Sequence, residues 1–341
     1  MTNNIFGTEN SDRLFSTDGD DNIQALGGDD TIIGTVGDDT LNGGEGFDTV
    51  DFSEAGTAVT VLPTGVFQND GSQGILVRAE RIIGATRQAN TIDTTSVIGD
   101  ATINVNLDRR SLRVENLPPA IGNQSFEVRS FVNVLGTPND DSIVGDNENN
   151  TLDGFLGDDL LDGRSGNDLL LGSDGDDTIR GGNDLDTLEG GIGDDSLNGG
   201  SGNDRLLGED GDDTLNGGND NDSLDGGVGN DSLLGGSGSD LLIGFDGDDT
   251  LLGGNDRDTL QGGLGNDLLT GGSSSDLFIL SPGEGTDIIT DFGRDNDSLG
   301  LAGGISFEDL SFSGSDIMFG TETLATLDGF DATTLSASDF V

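Results

Sequence analysis

The chain has 341 residues, with 66 Asp plus Glu against 13 Lys plus Arg and a formal net charge of -53. Gly supplies 60 residues, and Cys, His, Trp, Tyr and Lys are absent, which excludes disulfides, thiolate or imidazole metal sites and Cys, His or Lys catalysis. Such a polyanion is repelled by nucleic-acid phosphates and anionic lipid, and it attracts cations.

No run approaches the roughly 20 apolar residues of a membrane span. Residues Met1–Asp21 lack the basic start and apolar run of a secretory signal peptide. Export is therefore expected to depend on a signal elsewhere in the chain. A Gly-rich acidic composition is compatible with disorder, so the deciding question is whether Gly and Asp are periodic.

They are periodic from the start. In residues 1–51, five nonapeptides begin at Gly7, Ser16, Ala25, Gly34 and Gly43. Their sixth positions are Asp12, Asp21, Asp30, Asp39 and Asp48, and their eighth positions are Leu14, Ile23, Ile32, Leu41 and Val50.

Residues 52–135 break the pattern, with 8 acids, 7 Arg and 7 Gly. Period-2 apolar runs at 57–62, 75–83, 102–107, 111–117 and 125–135 predict strands. The stretch from Gly84 has Ala89 where Asp belongs, as in a degenerate coil without its acidic ligand. Either a continuation of the repeat architecture or a separate small β-domain fits this composition. Arg109, Arg110 and Arg113 are candidates for binding an acidic glycan or for pairing with local carboxylates.

The main array spans residues 136–279, sixteen nonapeptides without insertion. The sixth position is Asp141, Asp159, Asp168, Asp177, Asp186, Asp195, Asp204, Asp213, Asp222, Asp231, Asp240, Asp249, Asp258, Asp267 and Asp276, with Asn150 as the exception. The eighth is Leu or Ile, and Phe278 in the last unit. A period of 36 lies over the nine: GGND recurs at Gly181, Gly217 and Gly253, as duplication of a four-unit block would leave it.

Each unit predicts a six-residue Gly/Asp loop followed by a three-residue strand with one inward aliphatic side chain. Two units make one coil, and coils stack about 4.8 Å apart as parallel strands do. One aliphatic per nine residues cannot offset about 1–2 kcal/mol of backbone entropy per residue. The Asp ladder must supply the rest by binding a cation between unit n and unit n+2. An oxygen-only cage suits Ca²⁺, with Mg²⁺ second because it demands stricter octahedral geometry. The sixteen units hold 34 acids and 4 Arg, and one Ca²⁺ for each intercoil pair of units would nearly cancel that charge.

The GGxGxDxUx unit resembles the calcium-binding repeat of the RTX (repeats-in-toxin) family. The resemblance implies an all-β fold, a right-handed parallel β-roll or β-solenoid, in which loop Asp residues and backbone carbonyls hold Ca²⁺. In residues 280–341, LSPGEGTDIITDF from Leu280 is similar to segments that close RTX rolls, and the terminal SASDFV is similar to signals read by type I secretion machinery. The expected division is 1–51, 52–135, 136–279 and 280–341. RTX proteins often carry a catalytic passenger, but this chain has neither His for HExxH nor a GxSxG elbow.

The expected function is that of a secreted, extracellular or surface-associated calcium-binding protein with a structural or interactive role. Its partners would be calcium ions, the secretion machinery and extracellular glycan or surface-layer components. The alternatives are an enzyme, such as a hydrolase, with a site in 52–135, or a glycan-binding adhesin. Ice-binding rolls resemble this one but carry regular Thr/Asn rows, whereas Thr takes the second position here only at Thr8, Thr17, Thr35 and Thr137.

Overall fold

The computed structural model describes residues 2–34, 39–53, 59–61, 66–69, 72–77, 81–83, 90–93, 102–107, 109–115, 124–129, 131–293 and 295–341. The stretch 84–89, with the expected degenerate coil, and Thr35 lie outside them. The chain forms two compact units, residues 1–161 and 162–341. Both are parallel β-solenoids. Among the described residues no helix is long and apolar enough to cross a membrane.

In residues 162–341, successive strands alternate between two sheets, and each pairs in parallel with the strand eighteen residues on. One sheet holds Leu169–Asp174, Thr187–Ile192, Arg205–Asp210, Ser223–Val228, Leu241–Asp246 and Thr259–Leu264. The other holds Thr178–Asn183, Ser196–Ser201, Thr214–Asn219, Ser232–Ser237, Thr250–Asn255 and Leu268–Ser273. Eighth-position residues meet in register, Leu170 with Leu188 and Leu197 with Leu215. Nearly all are at 0–1% exposure, Phe278 included, and together they are the core. Each contributes about 1.5–3 kcal/mol, too little for nine residues of chain order.

The array strands are longer than the sequence pattern predicts. They are six residues, such as Thr178–Asn183, joined by three-residue turns. The first three residues of each unit stay in the ladder, because Gly182 pairs with Gly200 and Asn183 with Ser201. Only the turn leaves it. There the fourth position takes a left-handed backbone: Gly211 has φ +148° and Asp220 +72°. The first value lies where only Gly is comfortable; Asp tolerates the second better than most residues. In the N-terminal block the strands stay short, as in Arg13–Phe15 and Thr31–Ile33.

Beyond Ile279 the nonapeptide spacing fails but the pairing continues. Leu269 pairs with Ile289 and Phe278 with Leu299. The closing strand Glu322–Leu327 pairs in parallel with Asp287–Ile289 and antiparallel with Asp316–Phe319. The last residues are built into this cap. The Phe340 ring lies 5.1 Å from Phe307 and 6.4 Å from Phe312, and Val341 N donates to Leu299 O at 3.0 Å.

Within residues 1–161, the strands of 52–135 join the parallel stack and add two antiparallel excursions. Arg81–Ile83 pairs in parallel with both Thr49–Asp51 and Gln124–Arg129. The first excursion runs Val59–Val61, Val66–Asn69, Ser72–Val77, and its last strand returns to pair in parallel with Thr40–Asn42. The second runs Thr102–Asn106, Ser111–Glu115, Gln124–Arg129. Period-2 apolar runs predict strands, but not which pairs are parallel.

Candidate metal centre

The sixth-position Asp residues close each three-residue turn, one beside the next along the stack. Nineteen of the twenty are at most 4% exposed, and Asp12, in the first coil, is half-buried. From Asp168 to Asp258 the backbone N–H of each donates to Oδ1 of the Asp in the next coil. Asp186 donates to Asp204 at 2.9 Å, Asp204 to Asp222 at 2.8 Å and Asp195 to Asp213 at 2.8 Å. In the N-terminal block Asp12 and Asp21 donate in the same way to Asp30 and Asp39, at 2.7 and 2.8 Å.

The second carboxylate oxygen has no such partner. Oδ2 of Asp186, Asp195, Asp204, Asp213, Asp222, Asp231, Asp240, Asp249, Asp258 and Asp267 is buried with no hydrogen bond among the described residues. A buried carboxylate oxygen left this way is costly unless a cation meets it. Glycine keeps the space beside it open. A methyl on Gly199 would lie 2.5 Å from Asp204 Oδ2 and 2.8 Å from Gly217 O; one on Gly235 would lie 2.5 Å from Asp240 Oδ2 and 2.6 Å from Gly253 O. A carboxylate oxygen and a carbonyl oxygen from adjacent coils thus converge on one cradle. Among the described residues no three carboxylates form a metal-binding group; a cation in this cradle would meet a carboxylate oxygen and a backbone carbonyl. This hard, all-oxygen donor set fits Ca²⁺.

Burial raises the carboxyl pKa of Asp186, Asp195, Asp213, Asp222, Asp249 and Asp258 to about 7. The N–H from the preceding coil opposes the rise, and neighbouring carboxylates add to it. For Asp231 and Asp276 the value is about 6, for the same leading reason.

Three ladder positions are satisfied by the protein itself. Thr8 donates its amide and its hydroxyl to Asp12 Oδ2 at 2.6 and 2.8 Å, and the Thr17 hydroxyl donates to Asp21 Oδ2 at 2.9 Å. The Thr137 amide donates to Asp141 Oδ2 at 2.6 Å. Scattered second-position Thr thus marks the opening coils of both periodic blocks. Asn150 closes its own turn, its Oδ1 accepting from Asp146 N at 2.8 Å.

The nonapeptide pattern missed the far end of the ladder. Asp267 N donates to Asp287 Oδ1 at 3.3 Å and Asp276 N to Asp297 Oδ1 at 3.1 Å. Gly271 and Gly272 donate to Asp291 at 3.1 and 2.8 Å. The available signal was Asp followed two residues later by Ile289 or Leu299, but the intervals have grown to 20 and 21 residues. Of the Arg candidates, Arg109 and Arg110 are exposed at a hairpin turn. Arg110 shares an open hollow with Leu107, Asp146, Asn147 and Glu148.

A stack of buried Asp turns over a single-file aliphatic core defines a calcium-binding repeat solenoid. The family model for the RTX calcium-binding nonapeptide repeat (four copies) matches residues 15–50, 135–170, 171–206, 207–242, 243–278 and 252–289. These matches cover more than half of the chain, which belongs to that family. Among solved structures, it is similar to the extracellular lipase LipA from Serratia marcescens at 20% identity and TM-score 0.28, covering 61% of this chain and 39% of the lipase. It is also similar to a hyperactive, Ca²⁺-dependent, β-helical antifreeze protein from an Antarctic bacterium, at 19% identity and TM-score 0.31, covering 86% of this chain and 83% of that one. The chain therefore spans well under half of the lipase. No curated protein matches the sequence.

Position along the stack sets the cost of losing a ligand. Asp213→Ala should raise the calcium midpoint for β structure several-fold, because coils on both sides depend on it. Asp12→Ala should shift it little, since Thr8 already satisfies that carboxylate. Gly199→Ala, which fills a cradle, should act like Asp213→Ala. Calcium titrations followed by far-UV circular dichroism compare them; equal midpoints for all three and the parent would contradict this assignment.

Proposed function

We propose that this chain is a secreted protein whose solenoid folds on binding Ca²⁺ outside the cell and then serves a structural or surface-interaction role, without catalysis. The observation that carries this reading is the column of buried Asp carboxylates from Asp186 to Asp267, whose Oδ2 atoms have no hydrogen bond among the described residues. The ligands are the sixth-position Asp residues between Asp12 and Asp276, strongest in the middle of the main array and weakest at Asp12, Asp21 and Asp141, which Thr8, Thr17 and Thr137 already meet, together with glycine carbonyls of the adjacent coil. Residues 136–279 are the calcium-loaded roll, 1–51 a shorter one, 52–135 a calcium-poor segment and 280–341 the cap with the export signal. The family's repeats support calcium; a shortage of free calcium inside the cell and its abundance outside would couple folding to export.

In the cytosol, mutual repulsion among carboxylates keeps the chain extended and fit to thread a secretion channel. Export is tested by deleting residues 336–341 and expressing the chain with a type I secretion system. The truncated chain should stay in the cell. Purified, it should still gain β signal with calcium, at lower stability because Phe307 and Phe312 lose Phe340. Undiminished export would remove the C-terminal signal from this reading.

A further inference from the structure

The two sheets of residues 162–341 present opposite surfaces. The sheet containing Arg205–Asp210 exposes Asp174, Glu209, Asp210 and Asp246, with Glu189 and Asp225 half-buried. The other sheet, six consecutive strands from Thr178–Asn183 to Leu268–Ser273, contains no carboxylate at all. On a chain of net charge -53 this is a face free of carboxylate, its one charge the exposed Arg180 at one end, bordered by acidic turns.

Its outward side chains form regular columns. One is Thr178, Ser196, Thr214, Ser232 and Thr250. Another alternates Asn183, Ser201, Asn219, Ser237, Asn255 and Ser273, tied across coils by bonds such as Asn219 Nδ2 to Ser201 Oγ at 3.4 Å and Ser273 Oγ to Asn255 Oδ1 at 3.3 Å. Glycine at the second position of every unit on this sheet leaves the surface flat. Leu234, Leu252, Leu268 and Ile288 add an exposed aliphatic patch, Leu234 beside Leu252 and Leu268 beside Ile288.

We propose that this carboxylate-free sheet is the contact face between two copies of this chain. The proposal rests on the calcium-folded reading, since the face exists only when the coils are stacked. Like charge keeps two such polyanions apart at their other sheet and at their turns, whereas here no carboxylate repels and the one cation, Arg180, stands at the end of the face. Six strands about 4.8 Å apart and six residues long at about 3.3 Å each give a footprint of roughly 570 Å² per copy. Two copies bury roughly 1,100 Å², above the about 1,000 Å² that a specific interface requires. The aliphatic patch supplies apolar contact, and the Thr, Ser and Asn columns supply donors and acceptors on both partners. Calcium also lowers the charge of the bordering turns.

The test is sedimentation velocity on the full chain at protein concentrations from about 1 to 100 μM, in saturating calcium of roughly 10⁻³ M or above. The parent should pass from monomer to dimer. Thr214→Asp with Leu252→Asp places carboxylates on the face and should weaken the dimer about tenfold or more. Leu241→Asp, an equally exposed position on the opposite sheet, should leave it unchanged. A parent that stays monomeric at 100 μM with full β signal overturns the proposal, and one that is also retained on a neutral polysaccharide assigns the face to glycan instead. A parent without β signal in calcium overturns the calcium-folded reading and the interface with it.

Discussion

In chelator at neutral pH the β-sheet circular dichroism of this chain should collapse to that of a coil, and calcium should restore it. The core is one column of Leu or Ile per sheet, and nine residues of chain must be ordered for each such side chain. Ten Asp residues of the main array bury an Oδ2 that no described protein group meets, and neighbouring carboxylates stand one coil apart. Without a cation these terms oppose folding together. With calcium, the binding free energy becomes folding free energy, about 2.7 kcal/mol for each site at a hundredfold excess over its Kd. Recovery is expected at roughly 10⁻⁴–10⁻³ M Ca²⁺. Magnesium at the same concentration should recover much less, because it holds its waters and rejects an irregular cage. Full β signal in chelator would remove the calcium column from the account of stability.

Acidifying the same chelated sample should return much of that signal. Burial first, and like charge second, push the carboxyls of Asp186, Asp195, Asp213 and Asp249 up to about 7, against an ordinary value of 3.8. The folded state therefore binds more protons than the unfolded one, and each proton neutralises a carboxylate that otherwise needs a cation. The stabilisation is complete below the unfolded value of 3.8 and is lost as pH rises through about 7. A sample at about pH 5 stays above the isoelectric point of 4.1 and should show β structure that fades on titration to pH 8. In calcium the dependence should reverse, because protons compete with the ion for Oδ2. A β signal that grows with pH in chelator would contradict the sign of these shifts.

The sequence by itself determined the period, the register, the core positions and the Asp ladder between residues 136 and 279. It could do so because parallel stacking sets residue i beside residue i+18, so every coil repeats the same demand at the same place. Leu215 and Asp213 are legible for that reason. Where the interval changes, the reading stops: Asp287 and Asp297 extend the ladder at 20 and 21 residues, and only the pairing of Phe278 with Leu299 brings them there. The tertiary structure also decided the strand length, since Gly at the first two positions carries no side chain to signal that it stays in the ladder. It revealed Thr8, Thr17 and Thr137 as internal partners of Asp12, Asp21 and Asp141, contacts of four residues that composition does not distinguish from chance. Within 52–135, alternation marked strands, but parallel or antiparallel pairing depends on partners more than thirty residues away, as when Ser72–Val77 returns to Thr40–Asn42. The carboxylate-free sheet had the same status: its lack of acids appears only once alternate units are assigned to opposite faces.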